Sequence, residues 1–199
     1  MYRKVFDVLT SSGGALVVVV LLVAGGLLTW GHSFVNSNVH SQLARQEITF
    51  PPKAAFAHAK AGTEITPAMI PSVSQYAGQQ LLTGKQAEAY ADHFIAIHLS
   101  ELPYGGVYSK ISAAAIASPA NVKLKALEQT SFQGTTLRGL LLEAYAFSEI
   151  GLIMLFGAIA SFVLAAFMLV LVGLGFAHAR STVPEKQMLA PKAKAVPVA

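Results

Sequence analysis

The sequence predicts an all-α membrane protein: two transmembrane helices extended outward, with a small helical extracytoplasmic cap between them. Three observations carry that prediction. Residues 13–31 and 150–177 contain no charged side chain, and an apolar run of about 20 residues crosses a hydrocarbon core of ~30 Å. Charged residues make up only 12% of the 199-residue chain, while 54% are hydrophobic, against roughly 25% charged in an ordinary soluble domain. No segment between the two runs shows the strict apolar–polar alternation of a half-buried strand.

The chain divides accordingly into an N-terminal tail (1–12), a first span (13–31), a helical segment (32–149), a second span (150–177) and a C-terminal tail (178–199). Arg3 and Lys4 followed by the apolar stretch 15–23 imitate a secretory signal. The apolar stretch continues to Leu28 with no Ala-x-Ala site after it, which reads as an uncleaved anchor. The first helix should continue to about Gln46, since Phe34, Val35, Val39 and Leu43 recur at helical spacing. Pro51 and Pro52 then force extended backbone. Residues 47–78 are the least regular part, with one short helical turn opened by Thr66 and Pro67.

Order returns at Thr83, whose Thr-x-x-Gln pattern with Gln86 is a capping box. The helix it opens should run to about Leu99 and end at Pro103, Gly105 and Gly106, with Ala87, Tyr90, Ala91, Phe94, Ile97 and His98 on one face. A second helix fits Val107 to Ala117, burying Ile111 and Ala115. Ser118 before Pro119 reads as the cap of a third helix, ending near Gln129. After Gly134, a last helix should open at Thr135–Thr136 and run unbroken through the second span, ~60 Å from Thr136 to Ala177.

Charge sets the expected orientation, because Lys and Arg near span ends stay on the cytoplasmic side. The tails hold six basic and two acidic residues, while residues 32–149 hold eight of each. Both termini are thus expected in the cytoplasm of a bacterial plasma membrane and the segment 32–149 outside it. Trp30 and Tyr145 would be interface anchors at one headgroup level. The basic surplus is then a matter of topology and anionic lipid, not of nucleic acid.

Within the second span, Gly157, Ser161 and Ala165 recur every four residues, and the first span carries Gly25 and Gly26. Small residues let backbones approach where lipid offers no hydrophobic drive, so these are the expected helix-packing positions. The partner is either the other span or a helix of another subunit. In the C-terminal tail, three prolines and three lysines predict extended or disordered chain. Pro184, Met188 and Leu189 are its candidate contacts with a partner surface.

No reaction is legible. Without cysteine there is no thiolate nucleophile or zinc-thiolate site. His93 and His98 are five residues apart and miss the His-x-x-x-His geometry; His98 and Glu101 form at most one pair of the three or four ligands a metal needs. The Gly-Lys at 84–85 lacks the spacing of a phosphate loop. No cofactor, catalytic residue or small-molecule substrate is therefore assigned.

Two stretches, GQQLLTGKQAEAYADHFIAIHL (78–99) and TTLRGLLLEAYAF (135–147), resemble uncharacterised two-span membrane proteins of actinobacteria. That resemblance implies a plasma-membrane home and no assigned activity. Taken together, these readings point to a non-enzymatic accessory or scaffold subunit, within a larger (for instance respiratory) membrane complex or as its own homo-oligomer, with membrane lipids and membrane-protein subunits as partners. The alternative is an extracytoplasmic ligand-binding or sensory module, with Tyr90, Asp92, His93 and Tyr104 as candidate pocket groups.

Overall fold

A computed structural model describes residues 3–181. Those residues are helical almost throughout, in the order α1 (Arg3–Ala44), α2 (Lys53–Phe56), α3 (Ile70–Val73), α4 (Gly84–Tyr90), α5 (Ala96–Ser100), α6 (Tyr108–Ala117) and α7 (Val122–Ser181). Among the described residues there is no strand, only one isolated antiparallel bridge between Thr49 and Gln80. Both α1 and α7 are long and apolar enough to cross a membrane. The tail positions Pro184, Met188 and Leu189 lie outside the described residues.

Contacts divide the chain into two compact units. Among the described residues, the first takes 3–31 and 154–181, the second 32–153. In the first, the helices pair antiparallel. A side chain at Gly14 would meet Val172 and Met168, one at Gly25 would meet the Phe162 ring, and one at Gly31 would meet Met154. In this unit the buried and half-buried positions on α1 include Asp7, Ser11, Gly14, Val18, Leu21, Gly25 and Leu28. On α7 they include Ala158, Ser161, Ala165, Met168, Val172, Gly175 and Ala179. Both series step alternately by three and four residues, the 3.5-residue repeat of a coiled coil.

The second unit has a core of large side chains. Phe50, Met69, Val73 and Leu81 are fully buried, and Val39, Leu43, Phe56, Ile65, Ile95 and Leu141 close around them. Phe50 and Leu81 arrive on two short extended segments zipped by Phe50 N–H to Gln79 O (2.9 Å) and Leu81 N–H to Ile48 O (2.8 Å). The capping box forms: Gln86 N–H donates to Thr83 Oγ1 at 3.3 Å, and Thr83 N–H donates to Gln86 Oε1 at 3.0 Å. From there helix runs to Ser100, interrupted by one π turn at Ala91–Ile95. It ends in a 3-10 turn, Pro103–Gly106. Gly106 is obligatory there: its φ is +69°, and a β-carbon would collide with the Leu99 carbonyl.

Three boundaries differ from the sequence reading. Ser118 does not cap the third helix. Asn121 does, its Oδ1 accepting from Lys123 N–H (3.1 Å) and Leu124 N–H (3.2 Å). Nor does that helix end near Gln129, with another opening at Thr135. A single 60-residue α7 passes straight through Gly134. A glycine inside a helix costs about 1 kcal/mol, but here its missing side chain seats Leu99, whose Cδ2 lies 2.8 Å from where a β-carbon would be. The first helix also begins at Arg3, ten residues ahead of the uncharged run.

Candidate functional site

The predicted packing positions fall unequally on the seam of the first unit. Ala165 is fully buried and Ser161 half-buried in it. Gly157 sits beside the seam residue Ala158, and a side chain there would reach Leu28 at 3.2 Å. Steps of four drift round a helix, whereas the seam alternates three and four, so a strict small-xxx-small stripe only partly coincides with it. Gly25 lies in the seam against Phe162; a side chain at Gly26 would meet nothing within 4 Å. The helix these small residues face is therefore the chain's own α1.

Of the two interface anchors, Trp30 is two-thirds exposed. Tyr145 is half-buried in the second unit, and its backbone backs onto the start of α4: a β-carbon at Gly84 would lie 3.3 Å from Tyr145 Cα.

The candidate pocket groups of the second unit do not converge. Tyr90 belongs to a row of rings: it meets Phe50 edge-on at 5.4 Å and stacks on Phe94 at 4.6 Å, and Phe94 meets His98 edge-on at 4.6 Å. Burial, and after it the Glu64 carboxylate, raise the Tyr90 phenol above its ordinary pKa of 10.0. Asp92 is paired with Arg138 at 2.6 Å. His93 and Tyr104 are exposed, Tyr104 in the left-handed region (φ +61°) of the turn after α5. His98 and Glu101 do line one cavity, together with Glu64. The two His98 ring nitrogens each lie 2.9 Å from a carbonyl oxygen, of Phe94 and of Glu64. Among the described residues no three His, Asp or Glu side chains gather as a metal site.

A different site emerges on the second unit, between residues 34–46, the end of α1 and the turn that follows it, and 137–147 of α7. There the helices leave an open groove of about 400 Å³, within the ~300–1,000 Å³ range of ligand pockets. Its floor is Val39, Leu43 and Leu141, all part of the core. One wall is an amide ladder at four-residue spacing, Asn38, Gln42 and Gln46; the facing wall is apolar apart from Glu143, with Leu137, Leu140, Ala144 and Phe147. No cationic side chain lines it.

Sequence reasoning recovered the Val39–Leu43 spacing but missed the groove. The available signals were the Asn38, Gln42, Gln46 repeat and the leucine-rich 140–142 stretch, which only the pairing of helices about 100 residues apart turns into two walls. Comparison with protein-family models, with curated proteins and with solved structures found no match, so the site is read from its own chemistry.

Proposed function

We propose that this chain is a two-span protein of a bacterial plasma membrane that works as an accessory or scaffold subunit, its segment 32–149 forming a helical cap outside the cytoplasm. The observation that carries this reading is the inverted distribution of side chains in the first unit. Alanine, glycine and serine take eight of the fourteen seam positions named above, while Leu16, Val20, Leu27, Phe156 and Phe167 stand exposed. Water would penalise such a surface by about 25 cal/mol per Å² of apolar area; lipid or neighbouring membrane helices would not. A hairpin that closes on itself through small residues leaves its large apolar faces for those partners. The basic tails and the charge-neutral segment 32–149 support the orientation.

A second reading, an extracytoplasmic ligand-binding module, is favoured by the groove. It is compatible with the first.

Topology is tested in this cysteine-free chain by single cysteines at Gln75 and Ser181, both exposed. In intact cells an impermeant thiol reagent should label position 75 and spare 181 until the membrane is opened. Labelling at 181 alone would reverse the orientation, and labelling that requires lysis at both sites would remove the extracytoplasmic cap. Purification in gentle detergent should return a stoichiometric assembly with other subunits or with itself; a lone monomer under every condition would reject the scaffold role.

A further inference from the structure

We infer that His98 is a proton-operated latch: doubly protonated, it holds the segment 57–64 against the helix that carries it, and on losing a proton it lets that segment go. The latch lies wholly within the second unit and does not depend on where the membrane is.

Hydrogen-bond arithmetic comes first. His98 Nδ1 lies 2.9 Å from the Phe94 carbonyl oxygen, one turn back on its own helix, and Nε2 lies 2.9 Å from the Glu64 carbonyl oxygen. A carbonyl oxygen only accepts, and a neutral imidazole has one N–H and one bare nitrogen lone pair. Either neutral tautomer, in either flip of the ring, therefore leaves a nitrogen lone pair facing an oxygen lone pair. The imidazolium, with two N–H groups, satisfies both contacts at once. The Phe94 ring packs edge-on against it at 4.6 Å.

The second argument is what else ties the segment down. Its flanking residues Phe56 and Ile65 are buried in the core. Between them, Ala57 N–H donates to Ala54 O, His58 N–H to Ala55 O, Lys60 N–H to Ile65 O and Thr63 N–H to Lys60 O, while Thr63 Oγ1 donates to the Lys60 and Ile65 carbonyls. All of these close within residues 54–65. Among the described residues, the His98 Nε2 contact is the hydrogen bond that joins the segment to another element.

The charged surroundings are few. Around the cavity that His98 lines, the segment contributes Glu64 and the turn after α5 contributes Glu101, while α7 contributes the uncharged Thr130 and Gly134. His58 and Lys60, the other titratable groups of the segment, are exposed. No cation among the described residues lines the cavity to oppose a charged ring. The latch is thus closed at acidic pH and opens as pH rises through the range in which imidazole gives up its proton, roughly pH 5 to 8. Opening uncovers Phe94 and Leu99, which line the same cavity.

The test is spin-label mobility in the full chain, purified in detergent. The chain has no cysteine, so Ala61→Cys, exposed on the segment, carries a single nitroxide, and Gln75→Cys, exposed outside it, is the control. Between pH 5 and pH 8 the ratio of mobile to immobile label at position 61 should rise roughly tenfold or more, the effect of losing one charge-assisted hydrogen bond, with position 75 unchanged. His98→Phe, which keeps a ring against Phe94, should be mobile at both pH values. If that variant fails to fold, His98→Gln, whose amide donates but does not titrate, should show one mobility at both. Glu64→Gln and Glu101→Gln leave the two carbonyl contacts in place and should keep the response.

Equal mobility at pH 5 and pH 8 in the parent chain would overturn the inference. So would a response that survives in His98→Gln, which would assign it to His58 or another group, or one lost in Glu64→Gln or Glu101→Gln, which would assign it to a carboxylate. A matching change at position 75 would mean that the whole unit loosens and would reject the latch.

Discussion

The two units of this chain differ in the largest side chains they bury completely. In the first, the most deeply buried side chains are small, Ala158 and Ala165 both at most 2% exposed, while Leu16 and Phe167 are more than 60% exposed. In the second, Phe50, Met69, Leu81 and Ile111 are inside, and Lys53, Lys85, Glu101 and Lys110 are on the surface. On the proposed membrane placement, the contrast reflects two packing problems solved with one alphabet. Where water surrounds the chain, removing large apolar surface from it drives packing. Where no such drive operates, helices gain from close van der Waals approach, and the smallest side chains permit the closest approach.

Reciprocal substitutions probe this difference. Phe50→Ala should destabilise the second unit most, by about 3–5 kcal/mol, through lost burial and the cavity left behind. Denaturant unfolding followed by circular dichroism measures it, and a loss below about 1 kcal/mol would mean the core is not organised around that ring. Ala165→Leu, which adds apolar bulk, should nevertheless weaken the pairing of α1 and α7 by about 1–3 kcal/mol, because it overpacks a closed seam. Gly26→Leu, at an open position, is the matched control. Equal thermal stability of the two variants in detergent would break the proposed seam.

The smallest effect is a pH dependence confined to the second unit. With the Tyr90 phenol held above its ordinary 10.0, the native state keeps its proton where the unfolded chain has begun to lose it. Stability from this group is therefore fully present below pH 10.0 and declines as pH rises towards the higher native value. Tyr90→Phe should flatten that alkaline decline relative to the parent chain; identical pH profiles would place the phenol in a wetter setting than its ring contacts indicate.

Much of this architecture follows from local sequence. An uncharged run of 19 or 28 residues leaves the backbone little choice but helix if it meets lipid. The Thr83–Gln86 box closes because both partners lie within one turn of each other. Pro103 with Gly105 and Gly106 ends a helix whatever surrounds it, since it combines a fixed φ and a lost donor with residues at ease in the left-handed region.

The rest depended on neighbours far away in the chain. Gly134 reads locally as a stop, but Leu99 packs where its side chain would be, and the helix continues. Ser118 has the residue type of a cap, yet Asn121 has the geometry. The stripe at Gly157, Ser161 and Ala165 identified a packing surface, but its phase and its partner followed from the pairing with α1, where alternation by three and four keeps facing residues in register. Likewise, Asn38, Gln42 and Gln46 are unremarkable in their own stretch of chain. They become the wall of a groove because residues 137–147 lie opposite. Helix formation is decided by a few consecutive residues, whereas a groove or a seam exists only between two surfaces, and no one stretch of sequence contains both.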